Sequence, residues 1–186
     1  SINFDSLICV LAGGMALQDT VADKWEKASG VPAIEGYGLT EASPCTHCNP
    51  LDLNTYRRNT IGIPMPSTLS KIVDDEGNEV ETGQPGELLI KGPQVMKGYW
   101  QRQDETDKCL KDGWLYTGDV ATVNEDGFFA IVDRKKDMIL VSGFNVFPNE
   151  IEGVIAAHPK VLEVAVIGVP DQKSGERVKA FIVCND

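Results

Sequence analysis

The chain has 186 residues, 42% of them hydrophobic, and carries 17 basic against 28 acidic side chains for a formal net charge of −11. That is enough apolar material for one good-sized core or two small ones, which excludes a disordered or fibrous chain. The acidic balance excludes a broad electrostatic grip on nucleic acid or an anionic membrane, so any anionic ligand must be held locally.

The apolar run Leu7-Ile8-Cys9-Val10-Leu11 reads as a buried strand, entered at once from a start, Ser-Ile-Asn-Phe-Asp, that lacks Met; an internal beginning is therefore expected. Leu17, Val21, Trp25 and Ala28 are spaced for one helical face, and Gly30 closes the helix. Pro32 to Gly36 predicts a second short strand. Together these make a β-α-β unit of the kind that places ligands at strand ends, and whatever follows Gly36 is a candidate site loop.

From about Thr60 to Val132 the pattern becomes short apolar runs, Ser70 to Val73, Glu87 to Ile90 and Phe128 to Val132, separated by turn clusters such as Asp75-Glu76-Gly77-Asn78 and Asn124-Glu125-Asp126-Gly127. This predicts antiparallel β structure. A short polar helix from Gln103 to Leu110, with Asp107 and Lys108 facing solvent, interrupts it. The triplet Arg134-Lys135-Lys136 precedes a strand, Met138 to Val141, a helix opened by Pro148-Asn149 with Ile151, Val154 and Ile155 on one face, and two further strands, Val161 to Val169 and Arg177 to Cys184. All of the net charge lies in residues 1–133, whereas 134–186 balance. A domain boundary is expected near Asp133 to Lys136.

Three segments carry residues suited to chemistry. In Gly36-Tyr37-Gly38-Leu39-Thr40-Glu41 the glycines admit close backbone approach, Tyr37 offers a stacking face, Thr40 can donate to a phosphate oxygen, and Glu41 can hold a hard divalent cation. It also reads as a Gly-rich turn with an exposed Glu. In Asp112-Gly113-Trp114-Leu115-Tyr116-Thr117-Gly118-Asp119 the carboxylate of Asp119 follows a glycine, suited to vicinal ribose hydroxyls and equally to capping a turn at a strand end. In Val132 to Glu152, Arg134 can bridge ribose oxygens and a phosphate while Lys136 sits at the expected junction; a solvated basic linker fits the same residues.

Taken together and in this order, the segments resemble the acyl-adenylate-forming superfamily, which includes acyl-CoA synthetases, firefly-type luciferases and the adenylation domains of peptide synthetases. Gly36 to Glu41 matches its aromatic, Gly, Thr and Glu motif, Tyr116-Thr117-Gly118-Asp119 its ribose motif, and Arg134 to Glu152 its hinge and following loop, with Gly86-Glu87-Leu88 through Gly98-Tyr99-Trp100 filling the stretch between. Asp112 to Lys136 looks like the fatty-acyl-CoA synthetase signature, apart from Val123 where Trp is usual and Glu125 where Pro is usual. Val132 to Glu152 looks most like bacterial long-chain fatty-acid:CoA ligases.

The resemblance implies α/β and α+β architecture. Residues 1–133 would be the end of the large AMP-binding, adenylate-forming domain, a βαβ unit plus an antiparallel β subdomain; 134–186 would be the hinge and an incomplete small α+β C-terminal domain. It implies a fatty acid, ATP and CoA as substrates with Mg²⁺ as cofactor. Gly13 and Gly14 would border the adenine and acyl site, Tyr37 and Gly38 would lie at adenine, Thr40 at the α-phosphate, and Glu41 at Mg²⁺. Asp119 and Arg134 would hold the ribose, Lys136 would be the pivot, and Gly143 would line the pantetheine path. The family's phosphate loop is expected upstream of residue 1 and its adenylation lysine beyond Asp186, so 1–186 is expected to be an internal segment inactive alone. A fatty-acyl-AMP ligase and a non-catalytic nucleotide-binding module are the alternatives.

Five cysteines, an odd number, suggest a reducing compartment and hence the cytoplasm, with peripheral membrane contact left open for the parent. Nothing approaches the roughly 20 apolar residues of a membrane span. Cys45-Thr46-His47-Cys48 has no second pair at zinc spacing and is expected to be a loop beside the acyl site. Trp25 is expected in the core, and Arg57-Arg58 is left unassigned.

Overall fold

A computed structural model describes residues 2–52 and 54–185. In chain order the elements are β1 Val10–Ala12, α1 Asp19–Ser29, β2 Ala33–Gly38, a 3-10 turn at Thr40–Ala42, β3 Cys45–Cys48, β4 Ile63–Pro64, β5 Leu69–Val73, β6 Gly86–Lys91, α2 Gln103–Cys109, β7 Leu110–Lys111, β8 Trp114–Val123, β9 Phe129–Arg134, β10 Ile139–Val141, β11 Phe144–Val146, α3 Pro148–Ala156, β12 Val161–Asp171 and β13 Gly175–Cys184. They fall into two compact units: residues up to Thr117 with Ala121–Ile131, and Gly118–Val120 with the chain from Val132 onward. Among the described residues no helix is long and apolar enough to cross a membrane.

In the first unit, β1 and β2 run parallel with Ala12 beside Glu35, and β3 and β4 extend this sheet in antiparallel order. The crossover helix α1 ends where expected: Gly30 takes a left-handed φ of 75° and its N–H donates to Glu26 O. Its buried stripe is Ala22 with half-buried Trp25 and Ser29, while Val21, expected on that face, is 51% exposed. Arg58 has a structural role, pairing with Asp19 at 3.1 Å and Asp23 at 2.8 Å on α1. The expected strand at Leu7 starts later, at Val10, where β2 first supplies a partner.

The second sheet has strand order β5-β6-β8-β7 with β9 against β8. Alternation along β6 sends Leu88 and Ile90 to one face, where they pack with Ile61, Ile72, Ala121 and Phe129. Burial of each Leu, Ile or Phe side chain among them stabilises by about 1.5–3 kcal/mol. The two expected turns form, closed by Gly77 N–H to Asp74 O and Gly127 N–H to Asn124 O. α2 fills its expected place with Asp107 and Lys108 exposed.

The second unit is an antiparallel sheet ordered β11-β10-β13-β12 with α3 on β12. Pro148, Ile151, Glu152 and Ile155 form the inward stripe of α3, and the Glu152 carboxylate accepts Val166 N–H at 2.7 Å. Val154, expected on that stripe, is 77% exposed, because at 3.6 residues per turn it lies about 110° from the stripe's centre.

Candidate functional site

The parallel pair β1–β2 builds the first part of the site. The chain leaves β1 through Gly13 and Gly14 directly beside the end of β2: a Cβ on Gly13 would stand 3.1 Å from Gly36 O, and Gly14 has φ 91°. Neither position accepts a side chain without a shift or strain. Gly38 is equally constrained, since a Cβ there would fall on the Pro44 carbonyl. Two backbone bonds fold the following loop back on itself, Leu39 N–H to Pro44 O at 2.8 Å and Ala42 N–H to Leu39 O at 2.9 Å. The segment Gly36 to Glu41 is therefore a strand end that tightens into a 3-10 turn.

Tyr37 and Leu39 pack against the core formed by Leu88, Ile90 and Phe129, which anchors the loop from beneath. The ring of Tyr37 lies 6.0 Å from that of His47, which in turn sits 4.9 Å from Phe129. Thr40 is exposed and Glu41 half-buried. The Glu41 carboxylate accepts the Tyr99 hydroxyl at 2.7 Å, and its carbonyl accepts Met96 N–H at 2.8 Å. This bond, followed by partial burial, pushes the Tyr99 phenol well above its ordinary range.

The Cys45–Cys48 segment is strand β3, not the expected loop. The pairing of β3 with β2 is irregular, with Tyr37 opposite His47 and Gly38 opposite Cys45, so Thr46 is an extra residue that breaks the strand's alternation. All five cysteines are free, and among the described residues no group of three or more Cys, His, Asp or Glu side chains is arranged to hold a metal. His47 is fully buried with Thr46 Oγ1 3.0 Å from Nδ1, and burial lowers its pKa to about 4.

In the second unit Asp119 lies within β8, not at a strand end, just after Gly118 with its φ of 73°. Arg134 Nε stands 3.7 Å from Asp119 Oδ1, with the guanidinium mostly exposed and the carboxylate 16% exposed. Lys135 N–H donates to Gly118 O at 2.8 Å, holding the basic triplet against this part of β8. Beneath it, buried Asp133 accepts Arg134 N–H at 2.7 Å and Asn149 N–H at 3.0 Å. Asp133 and Asn149 thus fix the start of the turn in which Lys136 stands exposed; the sequence placed them at a domain boundary and a helix start, not in the site. Gly143 is the second residue of the two-residue turn joining β10 to β11, with Ser142 at φ 51° and Gly143 at φ 86°, both exposed.

The structure therefore brings together Gly13, Gly14, Tyr37, Gly38, Thr40 and Glu41 in one unit, and Asp119 with Arg134 in the other. Tyr99 is the residue of the first group that sequence reasoning missed. A phenol following a glycine was its single signal.

Comparison with known proteins gives a consistent set of likenesses. Residues 2–100 match the AMP-binding enzyme family and residues 150–186 the AMP-binding enzyme C-terminal domain. A long-chain-fatty-acid–CoA ligase of Yersinia pestis is 62% identical over 185 residues, covering 100% of this chain and 33% of that protein. The chain spans about a third of the length of such relatives. Among solved structures, ATP-bound MatB from Rhodopseudomonas palustris matches with a TM-score of 0.89 at 35% identity, over 95% of this chain and 35% of that one. The o-succinylbenzoate CoA synthetase MenE of Bacillus subtilis, in complex with its acyl-adenylate intermediate, matches at 0.88 and 32% identity, over 98% and 37%.

Proposed function

Because the chain belongs to the AMP-binding enzyme family, we propose that it is a segment of an ATP-dependent long-chain fatty-acid:CoA ligase. Residues 1–133 are then the end of the large domain, and 134–186 the hinge and the start of the small domain. The observation that carries this reading is the juxtaposition of the Gly13-Gly14 turn and the Gly36 to Glu41 loop at the C-terminal ends of one parallel strand pair, where open α/β sheets bind ligands.

In the reaction, a fatty carboxylate oxygen attacks the α-phosphorus of ATP, pyrophosphate leaves, and the CoA thiol then displaces AMP from the acyl carbon. Gly13, Gly14 and Gly38 let adenine and the acyl group approach backbone, and Tyr37 packs on the adenine. The exposed Thr40 hydroxyl donates to an α-phosphate oxygen as negative charge builds there. Asp119 accepts from the vicinal ribose hydroxyls, and Arg134, charged and mostly exposed beside it, bridges ribose and phosphate oxygens. The half-buried Glu41 carboxylate is a hard oxygen donor and fits Mg²⁺, which when bound neutralises phosphate charge. Lys136, in an exposed turn, is the pivot between the half-reactions, and the exposed turn at Gly143 leaves room for the narrow pantetheine arm. Five free thiols support a reducing compartment, the cytoplasm.

The test is ATP–pyrophosphate exchange by the full-length parent with carboxylates of graded length. Exchange that rises with long-chain fatty acids, followed by CoA-dependent AMP release, is expected. Exchange with no fatty-acid dependence would overturn the proposal.

A further inference from the structure

Glu41 is held at two points by one segment. Met96 N–H reaches its carbonyl at 2.8 Å, and the Tyr99 hydroxyl reaches Oε1 at 2.7 Å across 58 residues of sequence. Tyr99 is itself fixed: its N–H donates to Thr106 Oγ1 at 2.9 Å, and the buried Thr106 hydroxyl donates to Arg102 O at 2.9 Å. Gly98 makes the approach possible, because at φ 148° a Cβ would stand 2.8 Å from Thr106 Cγ2. The first turn of α2, Thr106, Tyr99 and Glu41 therefore form one hydrogen-bonded strut.

We propose that Tyr99 is a positioning residue for the metal-nucleotide half of the site: its phenol fixes Oε1 of Glu41 and leaves Oε2 as the ligand of a divalent cation carried by the triphosphate. This rests on the reading of Glu41 as the Mg²⁺ residue. A free glutamate side chain loses its torsional freedom when it binds a cation, whereas one already fixed by a donor has little left to lose, so the strut raises affinity by pre-organisation. A phenol also adds no competing charge beside the carboxylate, which a lysine or arginine in its place would do.

The experiment measures Mn²⁺ binding to the full-length parent in the presence of a non-hydrolysable ATP analogue, by electron paramagnetic resonance of the free ion, with urea unfolding as the control for folding. Tyr99→Phe is expected to weaken Mn²⁺ binding about tenfold, the effect of one hydrogen bond to a charged group, with an unchanged urea midpoint. Glu41→Gln is expected to weaken it at least as much, and the double variant no more than Glu41→Gln alone. Gly98→Ala, which keeps the phenol but displaces its backbone, is expected to reproduce the Tyr99→Phe loss should that variant fold poorly. Intact Mn²⁺ affinity in Glu41→Gln would overturn the metal reading and the strut with it. Weakening in Glu41→Gln but in neither Tyr99→Phe nor Gly98→Ala, or additive losses in the double variant, would overturn the role of Tyr99 alone.

Discussion

Burial of His47 makes stability depend on pH between the native and unfolded pKa values of its ring. The ring is fully buried between Tyr37 and Phe129, with Thr46 beside Nδ1, and Nε2 has no hydrogen-bond partner. The native pKa lies at about 4 against 6.5 for an ordinary His. Above pH 6.5 neither state binds the proton. As pH falls from 6.5 to 4 the unfolded chain binds one and the native state does not, so stability drops, levelling off below 4. At about 1.36 kcal/mol per pH unit the loss across that window is about 3 kcal/mol. Glu35, whose pKa is raised chiefly by burial, works in the opposite direction, and Asp74 and Asp171, lowered by backbone donors, lose stability at more acid pH. These contributions are common to the wild type and to His47→Phe, which keeps a packed ring but cannot titrate. Urea unfolding followed by tryptophan fluorescence at pH 7.5, 5.5 and 4.5 (~2 units either side of the unfolded pKa at most) should show the stability difference between the two proteins shifting toward the variant by about 2–3 kcal/mol. Parallel pH curves for the two proteins would refute the buried, neutral imidazole.

Three further outcomes follow from the geometry. Leu88→Ala removes a fully buried side chain from the cluster of Ile72, Ile90, Ala121 and Phe129, and should cost about 2–5 kcal/mol by the same urea assay. Asp119→Ala in the full-length parent removes the proposed acceptor of the two ribose hydroxyls and should raise the KM for ATP by about 100-fold or more in pyrophosphate exchange. Lys136→Pro fixes φ in the exposed turn and should slow CoA-dependent AMP release at least about tenfold more than pyrophosphate exchange; equal loss in both would remove the pivot assignment.

Much of the fold is written locally. The end of α1 at Gly30, α2 from Gln103, the Pro148 start of α3 and the turns at Asp74 to Asn78 and Asn124 to Gly127 follow from capping and turn chemistry that neighbouring residues settle among themselves. The strands β5, β6, β12 and β13 were likewise legible from their apolar runs. Strand β3 was not: Cys45 to Cys48, though bounded by Pro44 and by Asn49-Pro50, has no alternation of apolar and polar side chains, and it is extended because β2 and β4 supply hydrogen-bond partners on both sides. The same holds for Asp119, which reads as a strand end beside Gly118 yet lies inside β8.

The sequence by itself determined the order of the glycine loop, the Thr-Gly-Asp run and the basic triplet, and with it the resemblance to adenylate-forming enzymes, because motif identity and spacing are properties of the chain. Only tertiary structure decided which side chains hold those motifs in place. Tyr99 meets Glu41 across 58 residues, Arg58 secures α1 across 39, and Asp133 caps Asn149 across 16. Such bonds depend on where sheets and loops return the chain in space, and a one-dimensional pattern carries no record of that distance.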